Sequence, residues 1–340
     1  MKHKLLNALF FILVLGLTIH SIFSGVNLQE VFLYIKQADG RYITFSILCV
    51  ICYIMGESVC IWYLLRITRV ETQFTHCCLY SFIGFFYSCI TPSGSGGQPM
   101  QIIAMRKDHI PVGVSFVVLA IVTITYKMVL VLIGAIIIII RPPELMLYLV
   151  DVLWIMYLGM ALNVICVAVI LILVFDPNLV RLIANKSSAL LVRIHLIQNP
   201  HSFIARIENI LNQYHGTAAY FRQYKTAIIH VLLITLIQRI TLFSITWLTY
   251  LALNLNGTPA LTIITLQAMI SVAVDMLPLP GGMGISESLF LNIFLPIFGK
   301  FWVIAGMVIS RGISYYTQLF ISGIMTILAT VILKRKREPS

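Results

Sequence analysis

The sequence runs to 340 residues, 60% hydrophobic and only 10% charged, with a mean hydropathy of +0.98 and a formal net charge of +11. These values exclude a soluble globular protein and identify an integral membrane protein. The cations cluster beside apolar segments, where they mark topology and attract anionic inner-leaflet lipids, so the basic balance needs no nucleic acid.

Apolar runs close to the roughly 20 residues that cross a bilayer recur at 5–23, 42–65, 112–140, 151–175, 226–252 and 302–333. The first has the basic start and small-residue end of a secretory signal. An uncleaved helix is the simpler reading, because every later segment also stays in the bilayer. In the second, "CVIC" at 49–52 has a redox or zinc spacing, but all seven cysteines lie in apolar segments and read as small buried thiols. Next comes 74–105, whose oily course is interrupted by "TPSGSGGQPMQ" from Thr91 to Gln101.

After the spans at 112–140 and 151–175, the polar interval 176–225 carries six Lys or Arg. Within it Phe203, Ile204, Ile207, Ile210 and Leu211 predict an amphipathic helix lying on the inner leaflet. The span at 226–252 leads to 261–299, broken by "PLPGGMGISE" at 278–287, then to the last span and a basic tail at 334–340.

Charge placement predicts the topology. With Met1 inside, and with 74–105 and 261–299 each returning to the side they came from, only Lys36, Arg41, Arg141 and Lys300 fall outside. Lys127, Arg239 and Arg311 fall within spans and all other Lys and Arg fall inside, as the positive-inside rule requires. The expected fold is therefore an all-α polytopic membrane protein of six full transmembrane helices plus two re-entrant hairpins. Residues 5–150 and 151–333 form two inverted repeats of one domain, the loop 176–225 is cytoplasmic, and both termini are inside.

Pro/Gly-broken segments at matching places in oppositely oriented halves point to a binding site where they meet near midplane. Non-helical backbone survives at that depth only if buried in protein or lining a wet cavity, and glycine permits both sharp turns and close approach to a ligand. Tight packing without a ligand is the competing reading of each hairpin. Glu57, Lys127, Arg239, Asp275, Glu287 and Arg311 are ionisable residues at membrane depth, expensive unless paired or facing water. They are either mutual ion pairs or, with hairpin helix ends, a phosphate site. His20, His230, Asn163, Gln238 and Gln267 read as interhelical hydrogen-bonding groups.

"TPSGSGGQPMQIIAMRKDHIP", "LPLPGGMGISESLF" and "VISRGISYY" resemble the signature regions of the lysylphosphatidylglycerol synthetase transmembrane family. This is the flippase-like domain at the N-terminal half of multiple peptide resistance factors, also found as a stand-alone bacterial membrane protein. The resemblance spans about residues 5–333. It implies movement of lysyl-phosphatidylglycerol or another anionic or aminoacylated phospholipid, or of a glycolipid or polyprenyl-linked sugar, between leaflets of the cell membrane.

It also assigns Pro92, Gly94, Gly97 and Gln98 to the first motif, Pro280, Gly281, Gly282, Gly284 and Glu287 to the second, and Arg311 to the last span. The sequence departs where many relatives carry Glu in place of Gln98 and Arg in place of Lys127, so the headgroup is not fixed by resemblance.

Two other functional classes stay open. Bifunctional relatives make lysyl-phosphatidylglycerol with a soluble acyltransferase domain. The end at "KRKREPS" and the lack of a nucleophilic or metal-ligand constellation predict no catalysis, cofactor or metal here. A small-solute or ion carrier using Glu57, Asp275 and Glu287 is the other. A homo-oligomer, or a partnership with a separate lipid-modifying enzyme, is compatible with any of these.

Overall fold

The computed structural model describes residues 28–175, 182, 186 and 200–335, and every regular element among them is helical. The helices are α1 (Leu28–Gln37), α2 (Gly40–Ile67), α3 (Phe74–Ile90), α4 (Gly97–Lys107), α5 (Val112–Ile140) and α6 (Pro143–Leu149). They continue with α7 (Leu153–Phe175), α8 (Pro200–Gln223), α9 (Lys225–Ala252), α10 (Ala260–Val274), α11 (Ile285–Arg311) and α12 (Gln318–Arg335). Punctuation is local: Asp39 caps α2, its side chain accepting the Arg41 N–H at 2.8 Å, while Pro111 and Pro259 hold extended backbone before α5 and α10.

Among the described residues five helical stretches are long and apolar enough to cross a membrane: 40–67, 112–140, 143–173, 225–252 and 280–329. The predicted span at 5–23, residues 176–199 of the loop 176–225 apart from 182 and 186, and the end of the basic tail lie outside the described residues. By contrast α3 and α10 have 17 and 15 residues, about 25 and 22 Å of helix against a hydrocarbon core of about 30 Å. Neither can cross alone in a straight line.

Two expectations change. The sequence separates a hairpin ending at 299 from a span beginning at 302, whereas helix runs from Ile285 through Arg311 and, across a π turn at Gly312–Thr317, into α12. The interruption shrinks to a kink at Gly299 (φ 76°), whose missing side chain permits the left-handed value, with Pro296 one turn earlier. The amphipathic helix forms as α8; of its predicted apolar face Ile210 is exposed, whereas Leu211 is buried together with Tyr214, Ala218 and Phe221 where the helix packs on α5. Gly113 admits this contact, since a Cβ there would lie 2.7 Å from the Ile210 carbonyl oxygen. That part of α8 covers protein instead of lipid.

The packing pairs elements in a repeating manner. Central α2 and α9 lie against each other, α2 also packs on α3 as α9 does on α10, and α3 packs on α12 as α10 does on α5. The peripheral helices follow suit, α1 on α11 and α8 on α5. A core of Tyr250, Phe290, Phe294 and Phe298 locks the return arm of the second break, with ring centroids 4.5–5.7 Å apart.

Candidate functional site

The two Pro/Gly breaks adopt the same backbone shape. Thr91 (φ −119°, ψ 147°) and Leu279 (φ −120°, ψ 136°) lead into short turns at Pro92–Gly94 and Pro280–Gly282. Ser93 (φ 51°) matches Gly281 (φ 58°), and Gly94 (φ 65°) matches Gly282 (φ 66°). Each turn closes alike, the Gly94 N–H reaching the Thr91 carbonyl at 3.2 Å and the Gly282 N–H reaching that of Leu279 at 3.1 Å. Ser93 holds a left-handed conformation that costs a side-chain-bearing residue about 1–2 kcal/mol, and its hydroxyl donates to the Leu277 carbonyl at 3.0 Å. The tips therefore touch.

Tyr315 joins them from the last span. Its hydroxyl donates to the Cys89 carbonyl at 2.7 Å, and its ring lies so close to Gly281 that a Cβ there would overlap a ring carbon. Gly97 acts differently, since a Cβ would meet the Gly84 carbonyl at 2.7 Å, so this glycine lets the arms α3 and α4 close on each other. Gly284 (φ 85°) donates its N–H to Glu287 Oε2 at 2.7 Å, capping α11.

Between the tips and the central pair lies a cavity of roughly 340 Å³, within the range of small-molecule sites. Of the residues singled out in the sequence, Glu57, Gly94, Gln98, Lys127, Arg239, Asp275, Gly281, Gly282 and Arg311 line it. Pro92, Gly97, Pro280, Gly284 and Glu287 do not; they shape the turns and helix ends behind the wall.

The charges in the wall are unequally engaged. Lys127 on α5 pairs with Asp275 just after α10, so this bridge joins elements on opposite sides of Asp151, and it also donates to the Met276 sulfur at 2.9 Å. Arg311 Nε reaches Glu287 Oε1 at 2.9 Å and its Nη2 reaches the Gly281 carbonyl at 2.9 Å. Glu57 accepts a hydrogen bond from Gln101 Nε2 at 2.6 Å, and among the described residues no cation lies within ion-pair distance of it.

Arg239 likewise has no carboxylate of the described residues within that distance. It sits between two rings, 3.5 Å from the Tyr126 centroid and 5.1 Å from that of Tyr53. Its placement follows from Gly56, beside which Gln238 packs and donates to the Tyr53 carbonyl at 2.7 Å. The neighbours Glu57 and Arg239 are thereby brought to the same cavity from α2 and α9.

Tyr53 and Tyr126 carry this geometry without a sequence signal of their own, and Ser93 and Gln101 carry it from inside the first motif, where attention falls on the glycines, Pro92 and Gln98. The one available signal for the two tyrosines is position, Tyr53 four residues before Glu57 and Tyr126 beside Lys127. Among the anticipated interhelical groups, Gln238 is bonded as described, Gln267 accepts from Thr246 at 2.9 Å, Asn163 donates to the Val272 carbonyl at 3.2 Å, and His230 meets Tyr63 at 2.7 Å. His20 lies outside the described residues. The cysteines are free thiols, and no trio of His, Cys, Asp or Glu among the described residues is placed to hold a metal.

The family model of the lysylphosphatidylglycerol synthase TM region matches residues 4–322. The chain belongs to that family. It is accordingly a multi-pass membrane protein, and the family ties it to lysyl-phosphatidylglycerol synthesis or flipping. No curated protein matches the sequence. The family match covers both broken turns and the cavity, so the site belongs to the family's transmembrane region itself.

Proposed function

We propose that this member of the family translocates a phospholipid with an aminoacylated or an anionic headgroup, such as lysyl-phosphatidylglycerol, or a glycolipid, across the bacterial cell membrane. The observation that carries the reading is a polar, charge-lined cavity at the meeting point of two broken turns inside an apolar helical bundle. Polar lining in such a bundle is costly unless a polar guest or water uses it.

The matching turn conformations and the repeated packing pairs support two inverted halves, 5–150 and 151–333. In that arrangement the short α3 and α10 are descending arms of re-entrant hairpins that enter from opposite leaflets. Rocking one half against the other then exposes the cavity to each leaflet in turn, while acyl chains stay in the bilayer and only the headgroup enters. Both signs of charge fit the substrate: a phosphate meets a cation of the wall, and the ammonium of an aminoacyl group meets Glu57. Both termini and the loop 176–225 are cytoplasmic in this reading.

The test is leaflet-resolved lipid analysis of cells that make lysyl-phosphatidylglycerol, using an amine reagent that does not cross the membrane. Expression should raise the labelled outer-leaflet fraction without changing total lysyl-phosphatidylglycerol. A rise in the total would instead support the second reading, a component of its synthesis. An unchanged distribution, with uptake of a small solute into vesicles, would favour the carrier.

A further inference from the structure

The pairing pattern separates the three cations of the cavity. Two of them, Lys127 and Arg311, are consumed by carboxylates and backbone oxygens of the second break. Arg239 is different. It is only 9% exposed, it has no carboxylate of the described residues within ion-pair distance, and its buried Nε has no hydrogen-bond partner among them. A buried guanidinium with an unmade hydrogen bond is costly, and the rings of Tyr126 and Tyr53 beside it meet its charge while its Nε–H finds no acceptor among the described residues. The N–H edge of a guanidinium is the part that recognises phosphate, through parallel N–H···O bonds.

We propose that Arg239 is the phosphate-binding residue of the cavity, and that Lys127 and Arg311 hold the second break in place instead of touching substrate. This rests on the lipid reading above only for the source of the phosphate. The preference for Arg239 also breaks the symmetry between the halves: its counterpart on α2 is Glu57, an acid, so the substrate is gripped asymmetrically by the central pair. The tyrosines act as positioning residues, fixing the plane of the guanidinium so that little side-chain freedom is lost on binding.

The experiment uses the full chain purified in a neutral detergent, with thermal unfolding followed against increasing dihexanoyl-phosphatidylglycerol, dihexanoylglycerol, glycerophosphoglycerol and inorganic phosphate. The phosphate-bearing lipid should stabilise the wild type and dihexanoylglycerol should not. Apparent affinity should fall at least tenfold in Arg239→Gln and by a smaller factor in Arg239→Lys, which keeps charge but loses the fork. Lys127→Arg, which preserves the bridge to Asp275, should bind as the wild type does.

If Arg239→Gln does not fold, the Arg239→Lys titration decides alone. Wild-type affinity in Arg239→Lys, or in Arg239→Gln, overturns the assignment, as does equal stabilisation by dihexanoylglycerol. Saturation by inorganic phosphate or glycerophosphoglycerol at lower concentration than the lipid, with the same Arg239 dependence, supports the phosphate site while removing the lipid as its source.

Discussion

Replacing Arg311 with Met removes the one guanidinium that serves two acceptors. Glu287, whose side chain is 4% exposed, would keep only the Gly284 N–H, and the Gly281 carbonyl would lose its guanidinium donor. Removing one member of a buried ion pair costs about 3–5 kcal/mol. Because the Arg311 side chain is 14% exposed on a polar cavity, the lower end, about 3 kcal/mol, is expected.

Glu287→Gln retains an acceptor for the Gly284 N–H, so adding it to Arg311→Met should recover part of the loss. A coupling of at least about 1 kcal/mol should appear in the double-mutant cycle. The assay is unfolding in mixed micelles at rising sodium dodecyl sulfate, for wild type, both single variants and the double. Strict additivity would refute the pairing argument and return Arg311 to the substrate side of the cavity.

Further outcomes follow from the turns and the topology. Gly281→Ala, which combines φ 58° with a ring carbon standing where the new Cβ must go, should lower membrane abundance severely, whereas Gly94→Ala, whose nearest neighbour is 3.6 Å away, should cost only the conformational strain of about 1–2 kcal/mol. Quantitative immunoblots and micelle unfolding check both. Tyr315→Phe deletes the hydrogen bond to Cys89 without creating a cavity, so translocation should change more than stability, measured on the same preparation. In a background without native thiols, cysteines at Asp108, at Asn199 and at the C-terminus should resist an impermeant thiol reagent added outside; labelling at Asn199 would contradict the inverted arrangement.

The sequence makes the outline readable because membrane insertion is governed by length and apolarity, and because positive charges sort by side. The long spans and both Pro/Gly breaks are visible for that reason. The boundary between the second hairpin and the last span is misplaced because Gly299, Pro296 and a polar Lys300 look like a loop, while helix tolerates a kink there. On α8 the sequence shows an apolar face but not its partner: Leu211 packs against protein while Ile210 stays exposed.

At the site, the identity of the charged residues is legible but their engagement is not. Lys127, Arg239 and Arg311 look equivalent as isolated intramembrane cations. Their difference arises from tertiary partners 148 and 24 residues away for Lys127 and Arg311, and from aromatic neighbours for Arg239. Likewise Gly97 and Gly281 share a motif type, but one closes two helices and the other admits a tyrosine ring.

The most direct test of the central claim is translocation in reconstituted vesicles. Purified protein is placed in liposomes carrying trace fluorescent lysyl-phosphatidylglycerol in both leaflets, and an impermeant quencher is added outside. Lipid in protein-free vesicles loses about half its signal, the outer-leaflet share. With the protein present the remaining signal should also decay, and Arg239→Gln should arrest the decay. Persistence of the protected half in vesicles that demonstrably contain folded protein would contradict the account.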